Sequence, residues 1–473
     1  MKRLIALILA MCMVLTFATA CKKESDGGAG GGGGGGDVVR DPGKEDINVW
    51  SFTNEIPDAT RRYQEIFPDS AVTKNFNIIP NVTGDDDGAY ELGLETALRA
   101  GGKSAPDIWT AEQAYVLKFS QGGFASFAAT YEELGIADVA GKIASARIAQ
   151  YGVDAGTRDG KVVALRFQET GACLIYRRDI AEEVFGTQDP AAVGKIVGPG
   201  WDKFFDAAEQ LKEAGYAIVY GAGDVWGVAR DGAKQPWVVG GKLYIDPARM
   251  EFFDLAKRLF DGGYIIGGGQ WGDGWFGAMS GNSDPEVFSF LGPAWLINYV
   301  MVNNMGDTAG NWAVTGSPVG WSWGGTWVFG NKDLSGDKKA AVAELIEWIT
   351  LDTSDKGFQY FFANGNLYED SKLFPDEAAK FASGNFAKDA VASAAVMDKA
   401  DGTLAILGGQ DMFDFFLPAG AGASSAAWHE LDRSINGQFQ DLVNMYINGE
   451  ISKDDAIAQF KTWINEEHGI DVD

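Results

Sequence analysis

Two α/β bodies are predicted for this chain of 473 residues, and three observations predict them. Strand-like segments alternate with amphipathic helical ones over most of the length, the pattern of α/β layers built on parallel strands. About 430 residues follow a glycine-rich tract, more than one hydrophobic core accommodates, so two domains are expected. Cysteine is scarce: beyond Cys12 and Cys21 only Cys173 remains, so no internal disulfide is available and a packed core must hold the fold.

The elements follow in order. The opening "MKRLIALILAMCMVLTFATAC" has Lys2 and Arg3, then an apolar run, then small residues at 18–20. This is the pattern of a secretory signal over residues 1–20, too short to span a bilayer. Small residues followed at once by Cys21 resemble the lipobox of bacterial lipoproteins, which implies lipidation of Cys21, although Ala18 stands where that motif usually has Leu. Residues 21–45 read as a linker, with nine glycines among residues 27–36. Such a chain behaves as a soft coil spanning roughly 25–30 Å. A globular body tethered to a membrane is the expectation.

Within that body, "DINVWSF" reads as a strand, "IPDATRRYQEIF" as a helix, "FNIIPNV" as a strand, "AYELGLETALRAG" as a helix and "APDIWTAE" as a buried strand. Then "KVVALRFQETGACLIYRRDIAEEVF" is β-rich and turns helical, and "GWDKFFDAAEQLKEAG" is an amphipathic helix closed by glycine. After "TWVFG" comes the helix "GDKKAAVAELIEWIT", with Ser335 a candidate N-cap. Two further helices end the sequence, the last with Ser452 and Asp455 in a capping-box variant.

Several of these pieces, in this order, resemble the extracellular solute-binding proteins (family 1, sugar type) of bacterial ABC transporters. The pieces are "INVWSF", "GGKSAPDIWTAE", "VVALRFQETGACLIYRRDI", "GWDKFFDAAEQLKEAG", "AMSGNSDPEVFSFLGPAW" and the paired terminal helices. No single motif is specific, but the ordered set covers nearly all of the chain after the linker. The resemblance implies a two-lobe periplasmic-binding-protein-like fold of type II, with discontinuous lobes joined by a hinge. Lobe 1 would comprise residues 46–165 and 319–365, and lobe 2 residues 166–318 and 366–473. Crossings are expected near residues 164–167, 316–320 and 365, with a solute held in the cleft and the lobes closing on it. It further implies a neutral oligosaccharide or similar solute as ligand, ABC permease subunits as partners and a monomer at the outer face of the membrane.

Charge supports a neutral solute. With 66 acidic and 39 basic residues the net charge is −27, and no Lys/Arg cluster outside the signal suits nucleic acid. Carbohydrates present apolar faces and hydroxyl rims, which flat aromatics with a few polar groups recognise. The chain carries 15 Trp, 14 Tyr and 29 Phe. Open α/β sheets place ligands at strand C-terminal ends. The resemblance therefore assigns Trp50 and Asn54 after the first strand, and Trp109, Glu112 and Gln113 after a later one, with Asp107 fixing the turn. It also implies Gln168 and Glu169 beyond the first crossing and Trp295 in "GPAW". Asp411 and Phe413 in "GGQDMFDFF" are further candidates, and the loop tryptophans Trp226, Trp271 and Trp275 weaker ones.

In "GWSWGGTWV", residues 320–328, alternation puts Trp321 and Trp323 on one face with Ser322 opposite. Trp327 joins them unless the glycine pair bulges. The same stretch matches the G-x-S-x-G pattern of a nucleophilic serine, but strand rather than helix follows it. Only His429 and His468 are available as bases. "HELDR" lacks the second His of a zinc peptidase, "GGKS" lacks the earlier glycine of a phosphate loop, and no cofactor or metal is expected. The enzyme alternative is an extracellular carbohydrate-active hydrolase using a pair of carboxylates.

Overall fold

The computed structural model describes residues 40–85, 88–384 and 387–472. The signal segment, Cys21 and the glycine tract lie outside them. Eight strands position the site: β1 (Glu45–Ser51), β2 (Phe76–Val82), β3 (Ile108–Glu112), β4 (Ala164–Arg166), β5 (Cys173–Arg177), β6 (Ser289–Gly292), β7 (Trp312–Gly316) and β8 (Thr326–Gly330). They form a five-stranded sheet in the order β2-β1-β3-β8-β4 and a three-stranded sheet in the order β6-β5-β7.

The expected parallel pairing holds only for part of the larger sheet. There β1 pairs in parallel with β2 and β3, as helical crossovers require. Strand β8 runs antiparallel to both β3 and β4. In the smaller sheet β6 and β7 both pair antiparallel with β5. The antiparallel member of the larger sheet is the strand on which the chain returns from the smaller one. It passes outward between β4 and β5 and back between β7 and β8, so β8 enters from the opposite direction to β3.

Both sheets are covered on both faces, and the two-residue period of the strands sorts their side chains. On β5, Leu174 and Tyr176 pack in one core with Phe204, Leu211, Ile435 and Phe439, whereas Cys173 and Ile175 pack in another with Ile297 and Phe416. In the larger sheet Ile47, Ile108, Leu165 and Val328 face one core, and Trp109, Ala164, Trp327 and Phe329 the opposite one. Cys173 is a buried free thiol.

The predicted helices form at Glu55–Ile66, Ala89–Ala100, Trp201–Glu213, Gly336–Thr350, Asp432–Ile447 and Lys453–His468. Ser452 caps the last through its hydroxyl, which accepts the Asp455 N–H at 3.1 Å. Ser335 takes the N-cap place without a side-chain bond. Among the described residues no helix is long and apolar enough to cross a membrane.

Candidate functional site

Where the chain returns to the larger sheet, residues 317–325 run along the seam between the two sheets. Trp323 is half-buried there. It meets Trp295 edge-on with ring centroids 4.8 Å apart, and Trp271 at 6.0 Å. Trp271 and Trp295 lie parallel within 9° at 6.1 Å. The Trp295 indole N–H donates to the Trp323 carbonyl at 2.8 Å, which locks two members of the trio. Trp271 is 51% exposed and holds φ of +67°, a strained conformation for a bulky residue. Strain of this kind collects at functional sites.

Glu112 ends β3 beside this trio. A Cβ on Gly324 would lie 3.5 Å from Glu112 Oε1 and 3.2 Å from Trp295 Nε1, and Gly324 has φ of +74°. Glycine at 324 therefore lets the backbone come between the carboxylate and the indole. Glu112 accepts the Ala114 N–H at 2.6 Å. Burial pushes its carboxyl up to about 7, while that N–H and the guanidiniums of Arg230 and Arg433 pull down and Asp85 pushes up. Gln113 fastens the seam, accepting the Gly324 N–H at 2.6 Å and donating to Ser322 Oγ at 3.3 Å.

Of the sequence-predicted residues, Glu112, Gln113, Trp295 and Trp323 thus come together. Trp50 and Asn54 are half-buried, Trp50 within the last residues of β1 and packed on the core of the larger sheet, and Asn54 beyond it at a helix N-cap without a side-chain bond. Several expectations are corrected. Trp109 and Trp327 are fully buried: Trp109 stacks on Phe329 at 5.5 Å, and Trp327 donates to the Gly152 carbonyl at 2.8 Å. Both sit on inner strands of a sheet covered on both sides, so their side chains have nowhere to go but a core. Gly324 and Gly325, at φ of +74° and +109°, break the strand and turn Trp327 away from Trp323.

Trp321 lies close to Trp323, at 6.4 Å and 22°, but is 3% exposed and pressed on Gly227, where a Cβ would stand 1.8 Å from its ring. It backs the trio instead of facing solvent. Phe413 is buried in the smaller-sheet core, and Asp411 turns back to accept the Phe413 N–H at 2.9 Å. Gln168 donates to Asp389 at 3.2 Å. Glu169 is taken up by Arg166 at 2.8 Å, Tyr151 at 2.7 Å and the N–H groups of Thr170 and Gly171, both at 2.9 Å. These two residues brace the first crossing. Asp107, just before β3, accepts the Asn48 N–H at 2.8 Å and so ties the start of β3 to β1.

Ser322 is fully buried, and its hydroxyl bonds to Asp231 at 3.0 Å and to Gln113. His429 Nδ1 is occupied by the Leu431 N–H at 3.2 Å. This serine is a structural tie and has no histidine base. Among the described residues no cluster of His, Cys, Asp or Glu could hold a metal ion.

Sequence reasoning placed Trp271 only among the weaker candidates and passed over Arg230, Trp428 and Asp432. Trp271 carried a faint signal, a tryptophan set among glycines. Arg230, Trp428 and Asp432 carried none, because Arg230 reaches the seam from the helix Trp226–Gly232, whereas Trp428, in a loop, and Asp432, at the start of the helix Asp432–Ile447, come from a segment far along the chain.

No protein-family model and no curated protein matches the sequence. Solved structures do. A protein described as an extracellular solute-binding protein family 1 superposes with a TM-score of 0.69 at 18% identity, over 88% of this chain and 98% of that one. The galacto-N-biose/lacto-N-biose I-binding protein of an ABC transporter from Bifidobacterium longum, in complex with lacto-N-biose, gives 0.62 at 16%, over 92% and 100%. An ABC-transporter-associated binding protein from B. animalis subsp. lactis, in complex with β-1,6-galactobiose, gives 0.57 at 18%, over 90% and 97%. The fold is therefore the two-lobe, periplasmic-binding-protein-like α/β fold. Its structural neighbours are extracellular solute-binding proteins and, more narrowly, sugar-binding proteins of ABC transporters.

Proposed function

We propose that this chain is an extracellular carbohydrate-binding protein, anchored through a lipid on Cys21, that captures an oligosaccharide between two closing lobes and presents it to an ABC importer. The lobes are residues 46–165 with 319–365, and 166–318 with 366–473. The observation that carries the reading is the trio Trp271, Trp295 and Trp323 beside the Glu112 carboxylate, at the seam between two separately cored sheets. Indole faces suit the apolar faces of sugar rings, and a half-buried carboxylate with one backbone donor has oxygen lone pairs left for hydroxyls. The trio belongs mainly to the smaller-sheet side and Glu112 to the larger, so a solute touching both holds the lobes together.

The ligands named with the structural neighbours, lacto-N-biose and β-1,6-galactobiose, set the first panel. Isothermal titration calorimetry with these and with maltose, followed by chromatography of the mixtures, tests the proposal. Saturable binding with the sugar recovered intact is expected. No binding, or cleavage of the sugar, overturns it; cleavage would point to the hydrolase alternative.

A further inference from the structure

A cavity of about 20 Å³ lies at the same seam, lined by Gln113, Ala114, Arg230, Trp428, Asp432 and Asn436. Gln113 and Ala114 follow β3 of the larger sheet. Arg230 belongs to the helix Trp226–Gly232 and Asp432 and Asn436 to the helix Asp432–Ile447, both of which pack into the core of the smaller sheet. Each side supplies part of the wall, so the cavity exists only while the two sides are together. Enclosing one water takes roughly 10–15 Å³. The space therefore admits one hydroxyl-sized group and excludes a sugar ring.

The lining specifies that group. Trp428 is 5% exposed and Asp432 4%. Trp428 Nε1 and Asp432 Oδ1 are both buried without a hydrogen-bond partner. The other Asp432 oxygen accepts the His429 N–H at 2.9 Å. Neighbouring groups are already engaged: Asn436 Oδ1 accepts the Trp237 indole N–H at 2.8 Å, Arg230 holds Asp231 and the Ser322 carbonyl, and Gln113 is bonded at both ends of its amide. Of the lining atoms that are buried, the Trp428 donor and the Asp432 acceptor are left without partners, each costly to leave unpaired. An ammonium group would satisfy Asp432 but leave the indole N–H unmet, and an anion would do the reverse. A hydroxyl satisfies both, donating to Asp432 Oδ1 and accepting from Trp428 Nε1.

We propose that this cavity is a hydroxyl-reading pocket, which receives one projecting hydroxyl of the captured solute and forms only on closure. It rests on the carbohydrate reading above, and it makes Trp428 and Asp432 specificity-determining residues outside the tryptophan trio.

The test is calorimetric titration of maltose, lacto-N-biose and β-1,6-galactobiose into the wild-type protein, Trp428→Phe and Asp432→Asn. Each monodeoxy analogue of the disaccharide that binds tightest is then titrated into all three proteins. Trp428→Phe keeps an aromatic ring against Tyr151 and Trp327 while removing the N–H donor. It is expected to weaken binding roughly 3- to 10-fold, and Asp432→Asn roughly 10- to 100-fold. One deoxy analogue should lose a comparable factor on the wild type and little more on either variant. Variants that match the wild type overturn the pocket alone, as do analogues whose losses are the same on all three proteins. If Asp432→Asn does not fold, Trp428→Phe with the analogues decides by itself. Failure of all three disaccharides to bind the wild type overturns the carbohydrate reading, and the pocket with it.

Discussion

Glu169→Gln separates a residue that binds solute from one that braces the crossing between the sheets. In the structure Glu169 is 4% exposed, and one of its oxygens takes Tyr151 and two backbone N–H groups while the other takes Arg166. Arg166 is fully buried and also donates to Thr170 at 3.0 Å, with its guanidinium 4.0 Å from the Tyr151 ring centroid. In the variant the amide oxygen can serve only one of the two sides. If it keeps the three donors, the new NH₂ group confronts Arg166 and leaves a buried guanidinium without its carboxylate. Removing one partner of such a pair costs about 3–5 kcal/mol. Burial is complete on both sides, so solvent screening does not reduce the figure. Urea unfolding followed by tryptophan fluorescence should show the loss, and Arg166→Met/Glu169→Gln, which removes both charges but keeps an amide oxygen for the three donors, should recover most of it. Carbohydrate affinity of the folded fraction should change little. A stability within about 1 kcal/mol of wild type, together with affinity lowered more than about tenfold, would refute the brace and restore Glu169 as a ligand residue.

Three further outcomes follow from named contacts. Trp323→Ala removes the ring that joins Trp271 and Trp295, and calorimetry should show carbohydrate affinity falling about 30-fold or more, the scale of a central tryptophan contact. Ser322→Ala should instead cost about 1 kcal/mol of stability and leave affinity within about threefold, because its hydroxyl serves Asp231 and Gln113; the reverse pattern would sink the platform reading. Gly227→Ala must displace the Trp321 ring, and thermal unfolding should register a loss of about 1–3 kcal/mol, whereas a neutral result would mean that Trp321 is free to move. For pH dependence, burial pushes the Asp389 carboxyl up to about 8, against the Gln168 and Ala390 donors that lower it. The folded chain then holds a proton that the unfolded chain, with an aspartate near pH 4, releases. This contribution is fully present below about pH 4 and is lost as pH rises through about 8. Asp389→Asn should therefore raise the melting temperature over wild type at pH 8.5 and not at pH 5, and equal shifts at both would contradict the assignment.

By itself the sequence determined what depends on neighbours a few residues apart. The amphipathic period of "GWDKFFDAAEQLKEAG", the Ser452 cap, the strands "INVWS" and "IWTAE", and the placing of Glu112 at the end of β3 with Gln113 next to it all follow from local propensity and spacing. Only the tertiary structure decided which aromatic side chains are covered. Trp109 and Trp327 looked like Glu112 and Trp323 in sequence, one or two residues from a strand end. They became core because helices lie over both faces of the larger sheet. Trp321 and Trp323 share a local pattern, yet Gly227, nearly a hundred residues earlier in the chain, admits one ring to the interior and leaves the other at the seam. Trp428 and Asp432 show the same limit from the other side. Their unpaired N–H and oxygen acquire meaning only beside Gln113 and Arg230, which packing alone brings near. Local rules act through the few residues that share a turn or a strand, whereas burial and hydrogen-bond satisfaction are properties of whatever the folded chain lays on top.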